Sequence, residues 1–153
     1  MLRVAAADPD SLEARRLLAR LDAALAALTG DSGAASFDPA DVRGPRAGFV
    51  IAYDAAGTAV GCGALRALDG NDEGDIGEIK RMFAGPGSGA GAPLLAALER
   101  HARECGYRRL WLSTRRVNAR ALDFYARHGY VPVAPYGRYV GSAVSVCLGR
   151  MLD

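Results

Sequence analysis

Three β-rich runs follow one another between residues 48 and 84 with only short polar turns between them, and this limits the folds open to the chain more than any other feature. Gly48-Phe-Val-Ile-Ala-Tyr-Asp54 and Thr58 to Leu68 are joined by Asp54-Ala-Ala-Gly57, a hairpin signal, and Asp69-Gly-Asn-Asp-Glu-Gly74 leads into a third run, Asp75 to Ala84. Turns this short allow antiparallel neighbours and exclude parallel crossovers, so the middle of the chain reads as a meander.

The flanks add helices. Leu2 to Ala7 reads as a first strand, and Ser11 caps a helix over about 11 to 29 whose Leu18, Leu21, Leu25 and Leu28 step by three, four and three before Gly30 stops it. Residues 30 to 47, rich in Gly and Pro, form a loop with a short helix from Pro39 to Arg43; a segment so placed is a natural substrate wall. Beyond the meander, a Gly/Pro loop precedes a helix marked by Leu94, Leu95, Leu98, Ala102 and Cys105, which ends at Gly106. Next come a strand from Arg109 to Thr114 and a helix opened by Asn118 that carries Ala121, Leu122 and Tyr125 and ends at Gly129. Two further strands cover Tyr130 to Val133 and about Ala143 to Leu148. The order βα(α)βββαβαββ is α+β, or mixed α/β, with a central, mostly antiparallel mixed sheet flanked by helices. With 153 residues, one domain over 1–153 is expected.

Nineteen basic and 17 acidic residues leave a net charge of +2, too little for a nucleic-acid or membrane surface. Arg supplies all the basic residues but one, Lys80, which we read as coding bias. Cys62, Cys105 and Cys147 form no C-x-x-C pair, so neither a disulfide framework nor a zinc site is indicated, and no metal site is expected. Without a signal-peptide core or a long apolar run, the sequence reads as cytoplasmic.

The segment Gly85-Pro-Gly-Ser-Gly-Ala-Gly91-Ala-Pro93 lies between a strand and a helix, where glycines let backbone N–H groups approach an anion at the positive end of the helix dipole. Gly87-x-Gly89-x-x-Ala92 formally satisfies a dinucleotide fingerprint. That motif should follow the first strand of a parallel unit, and three antiparallel strands precede it here. A P-loop is excluded because no Gly-Lys-Ser/Thr follows.

Strand Glu78-Ile-Lys-Arg-Met-Phe-Ala84, the glycine turn, the helix from Leu94 to Gly106, Leu110-Trp-Leu-Ser-Thr114, and Asn118-Ala-Arg-Ala-Leu-Asp-Phe-Tyr125-Ala-Arg-His-Gly-Tyr130 together resemble the GNAT superfamily of N-acetyltransferases over about residues 48 to 150. The resemblance implies acetyl-CoA as cosubstrate and, as acceptor, a primary amine of a small molecule, peptide or protein; it allows a homodimer. It places the pyrophosphate against Gly87, Ser88, Gly89, Ala90, Gly91 and Ala92, and the thioester oxygen against the main chain of Met82, Phe83 and Ala84. Asn118 and Arg120 fall near the CoA arm, and Arg115, Arg116 and Arg120 within reach of its phosphates. The family's Arg/Gln-x-x-Gly-x-Gly/Ala turn falls on Pro86-x-x-Gly89-x-Gly91, so Pro86 replaces a side-chain donor and weaker CoA binding is expected.

Acetyl transfer also needs a proton for the departing thiolate and a neutral amine. Tyr125 aligns with the family's thiolate acid. Glu78, on the strand facing the acceptor, is the base expected, with Asp75 as runner-up. His101 and His128 are read as structural and Trp111 as packing. A rival reading is a non-catalytic acyl-CoA-binding or interaction module on the same fold, motivated by the altered glycine loop.

Overall fold

Ser11 begins the first helix as a cap should: its Oγ accepts a hydrogen bond from the Ala14 N–H at 3.2 Å. The helix α1 (Leu12–Thr29) ends at Gly30, whose backbone lies in the left-handed region at φ 81° and whose N–H closes on the Ala26 carbonyl. Its buried stripe is Ala14, Leu17 and Leu21; of the expected leucine row Leu21 is buried, Leu18 and Leu25 are half-buried and Leu28 is exposed. The computed structural model describes residues 1–68 and 74–153, so most of the expected turn at 69–74 lies outside the described residues.

The strands are β1 (Arg3–Ala6), β2 (Gly48–Tyr53), β3 (Ala59–Ala67), β4 (Ile76–Ala84), β5 (Arg109–Arg115), β6 (Val131–Pro132) and β7 (Ser145–Met151). They form one sheet in the order β1-β2-β3-β4-β5-β7-β6, antiparallel throughout except for β4 and β5. That parallel pair requires a long crossover, supplied by α2 (Gly91–Glu104); α3 (Ala119–Arg127) then leads back to β6. The mixed, mostly antiparallel architecture expected from the sequence is the one observed. The 3-10 turn at Pro39–Val42 matches the expected short helix, whereas those at Ala34–Ser36 and Gly137–Tyr139 lack a sequence signal. Strand β7 runs to Met151 because it pairs with the whole of β5, from Arg115↔Ser145 to Arg109↔Met151.

Alternation in the strands divides the core. Phe49, Ile51, Cys62 and Ala64 face α1, while Leu65, Ile79, Leu110 and Leu112 face Leu95 and Leu98 of α2. Each fully buried leucine contributes roughly 1.5–3 kcal/mol relative to exposure. Helix α2 lies close on β3 because Gly61 and Gly63 present no side chain to it. A Cβ on Gly61 would stand 2.6 Å from the Phe83 carbonyl oxygen and 2.9 Å from Leu94 Cδ1. We therefore expect Gly61→Ala to cost about 1–3 kcal/mol by overpacking. A thermal melt unchanged from that of the parent would refute this account of the contact.

Candidate active site

The parallel ladder between β4 and β5 is short. It joins Ile76 to Arg109, Gly77 to Leu110 and Glu78 to Trp111, and beyond Glu78 the two strands part. At the parting, β4 carries an irregularity: its pairing with β3 slips between Cys62 and Ala64, and Arg81 lies at φ 55°, in the left-handed region that non-glycine residues seldom occupy. The extra residue changes the parity of the strand. Ile79 before it and Met82 after it both pack among the α2-side residues, Lys80 shares the α1 face with Ala64, and Phe83 joins the α1 cluster. The Arg81 guanidinium is held by Asp22 of α1 and donates to the Ser32 carbonyl at 3.1 Å.

A cleft of about 340 Å³ fills the gap and reaches both faces of the sheet. On the α2 side it is lined by Ile79, Met82, Leu112, Ala121 and Tyr125, and on the α1 side by Lys80, Arg81, Tyr139, Arg138 and the loop from Asp31 to Ser36. The loop after α1 thus lines the cleft, where its position in the chain placed a wall.

Tyr125 is 7% exposed, sits edge-on to Tyr130 at 5.6 Å and to Phe124 at 5.1 Å, and reaches the cleft. Burial holds its phenol well above the ordinary range, so it is protonated at neutral pH. Asn118 both lines the cleft and caps α3, accepting from the Ala121 N–H at 3.1 Å.

The glycine turn has the character its sequence suggested. Gly87 and Gly89 lie at φ 72° and 71°, Ser88 N–H donates to the Gly85 carbonyl at 3.0 Å, and Ser88 Oγ accepts from Ala90 N–H at 3.2 Å. Helix α2 starts at Gly91, earlier than its leucines imply, with Pro93 in its first turn and no side-chain cap. Among the described residues, the N–H groups of Gly87, Gly89, Gly91 and Ala92 find no protein acceptor. They can satisfy an anion at the helix start, which fits a phosphate-bearing cosubstrate despite Pro86.

Other expected residues are dispersed. Phe83 turns toward α1 and lies under the Arg20 guanidinium at 5.0 Å; Ala84 and Arg120 are exposed. Arg115 lines the cleft but is paired with Asp31 at 2.7 Å, and Arg116 donates to the Ala143 carbonyl at 3.4 Å. Asp75 sits at the start of β4 against Arg109 at 3.3 Å, away from the cleft lining. His101 contacts the Ala47 carbonyl, His128 packs on Phe124 and Trp111 on Tyr136.

Glu78 is 2% exposed and lies off the cleft lining. One carboxylate oxygen accepts from Arg66 Nε at 2.9 Å and the other from the Tyr136 hydroxyl at 2.8 Å; Arg66 is shared with Asp41 at 2.6 Å. Sequence reasoning misses Lys80, Arg138 and Tyr139 as site residues. The available signal is the run Ile79-Lys-Arg-Met82, in which two polar residues interrupt the alternation of a buried strand.

Comparison with known proteins agrees with this geometry. The sequence profile of the acetyltransferase (GNAT) family matches residues 14–130. An IAA acetyltransferase of Azospirillum brasilense is 37% identical over 100 residues, a match that spans 63% of this chain and 63% of the relative's length. Among solved structures, a Klebsiella pneumoniae protein assigned as an acyl-CoA N-acyltransferase superposes with a TM-score of 0.81 at 28% identity, covering 100% of this chain and 99% of that one. The N-acetylglutamate synthase of Neisseria gonorrhoeae, complexed with coenzyme A and N-acetyl-glutamate, superposes with a TM-score of 0.70 at 21% identity over 100% of this chain and 35% of its own; it shows likeness of fold.

Removing the Glu78 side chain leaves the Tyr136 hydroxyl buried without its acceptor, while Arg66 keeps Asp41. We expect Glu78→Ala to lower the unfolding free energy by about 3 kcal/mol, the low end for breaking a buried pair. Urea denaturation measures this directly, and a loss below about 1 kcal/mol would show that the network contributes little.

Proposed function

The chain belongs to the acetyltransferase (GNAT) family, and we propose that it moves an acetyl group from acetyl-CoA to a primary amine. The observation that carries this reading is the cleft that reaches both faces of the sheet, with Tyr125 on one side of it and a turn of unsatisfied N–H groups at the neighbouring helix start. In this reading Gly87 to Ala92 hold the pyrophosphate, with Asn118 beside the cosubstrate's arm and Arg120 at the α3 surface. Beyond Glu78, the edge of β4 that faces β5 has no strand partner among the described residues, and in this reading main-chain N–H groups about Met82 receive the carbonyl oxygen.

Acetyl-CoA supplies a thioester, in which the carbonyl carbon forms a bond to the amine nitrogen as the carbon–sulfur bond breaks. The chain's residues must polarise that carbonyl and deliver one proton to sulfur, while the proton that nitrogen sheds as the amide forms passes to water and, through it, restores the donor. Tyr125 is the donor in this reading. Burial raises its phenol, and the same dry surroundings raise the basicity of a thiolate, so the proton still has reason to move. Glu78, with both oxygens engaged, is proposed as a positioning residue: it fixes Tyr136 and thereby the turn that presents Arg138 and Tyr139.

Tyr125→Phe keeps the ring and should retain CoA binding while lowering kcat by about 10²–10³, the scale of one general acid. Gly89→Asp should abolish CoA-induced thermal stabilisation by adding a side chain at positive φ and a negative charge. Strong CoA binding by the parent chain with no turnover of any amine would favour the non-catalytic alternative, and turnover by Tyr125→Phe within about threefold of the parent would remove the tyrosine from the chemistry.

Glu78→Gln separates the two roles of that residue. As a positioning residue it should change KM and stability and leave the shape of the pH–rate profile intact. A base would instead lose turnover chiefly at low pH, where the amine arrives protonated.

A further inference from the structure

The cleft carries more positive charge than the protein itself balances. Its lining includes Lys80, Arg81, Arg115 and Arg138 against a single carboxylate, Asp31. Arg81 is committed to Asp22 and Arg115 to Asp31. Among the described residues, Lys80 and Arg138 make no ion pair.

Lys80 is the unusual one. It is 7% exposed, and an ammonium buried to that degree is ordinarily paired with a carboxylate. Its hydrogen-bond partner is instead the Tyr139 hydroxyl at 3.2 Å, with the Tyr139 ring centroid 5.8 Å from the nitrogen. Glu78 attracts it through space, but both Glu78 oxygens are taken by Arg66 and Tyr136.

We propose that Lys80 and Tyr139, with Arg138 at the rim, form a subsite for a carboxylate on the acceptor, so that the amine acetylated here belongs to a small molecule that also carries an acid. The proposal rests on the acetyltransferase reading and deepens it. Lys80 lies on the α1 face, across the sheet from α2 and the glycine turn, so the anion it receives is not a phosphate of the cosubstrate. It stands two residues before Met82 on β4, the same strand whose main chain is proposed to hold the thioester oxygen, so an acid held by Lys80 belongs to a molecule that reaches the reacting carbonyl.

The neighbouring groups suit the same ligand. Burial pulls the Lys80 ammonium below its ordinary value, and an entering carboxylate would reverse that. Burial and Glu78 hold the Tyr139 phenol above its own ordinary value, so it retains its proton and can donate to the acid. Ser36, from the loop after α1, lines the same cleft as Tyr139 and brings that loop to the subsite.

The test is acetylation, at saturating acetyl-CoA, of a matched panel: several amino acids, the methyl ester of each and the decarboxylated amine of each. The parent chain should favour the acids in kcat/KM by about tenfold or more, the scale of one charge-assisted hydrogen bond. Lys80→Met should bring the acid-to-ester ratio to within about threefold of one, whereas Lys80→Arg should keep the preference; CoA-induced thermal stabilisation confirms that each variant is folded. Esters and decarboxylated amines used as well as acids by the parent chain would overturn the subsite and leave the transferase reading standing, with no variant needed. An unchanged ratio in folded Lys80→Met would do the same. No turnover of any amine, despite CoA binding, would overturn the transferase reading and this inference with it.

Discussion

One residue out of step with its strand holds the cleft open. Were β4 regular, it would continue beside β5 past Glu78, and the parallel ladder would close the sheet. Arg81 prevents this. Its left-handed backbone, at a cost of about 1–3 kcal/mol for a residue with a side chain, inserts one position and re-aims everything after it. The strain is offset locally by the ion pair with Asp22 and the bond to the Ser32 carbonyl, which also anchor α1 and the following loop to the strand. Even so, Arg81 Nε is buried without a hydrogen-bond partner among the described residues. The strained residue lies within the opening, three positions beyond the last rung of the parallel ladder.

From that opening follows a division between the faces. The α2 side of the cleft is apolar, with Ile79, Met82, Leu112 and the protected phenol of Tyr125, and continues toward a helix start whose first amides have no protein acceptor among the described residues. The α1 side is polar and cationic, walled by two loops and floored by Lys80. Glu78 serves this second face from beneath. Its carboxylate joins β3, through Arg66, to the segment before β7, through Tyr136, and the Tyr136 ring packs at 5.4 Å from both Trp111 and Tyr139.

Much of the architecture is legible in local chemistry. Ser11 and Gly30 bound α1, the short turns dictate a meander, and the alternating leucines of β5 mark the strand that α2 covers. The glycine turn, Asn118 and Tyr125 are also readable, because a helix start and a cap have sequence signatures and the ordered set resembles one family. Arg81 is not, since no residue type announces a left-handed arginine; only the broken alternation from Ile79 to Met82 records it. The pairing of Glu78 depends on Arg66, twelve residues earlier, and Tyr136, 58 residues later. Contacts of that range come from tertiary packing, so a base and a paired carboxylate look alike in sequence.

The two faces also differ in what they ask of the chain over evolutionary time. Gly61 and Gly63 bring α2 so close to β3 that the α2 side has little room for larger side chains. The loop from Asp31 to Ser36 and the residues from Arg138 to Val144, by contrast, lie between the principal strands and helices and bear on the opposite surface. Exchanges there can reshape what enters the cleft without disturbing the face proposed to hold the cosubstrate. A scaffold so divided can change its customers while keeping its reagent.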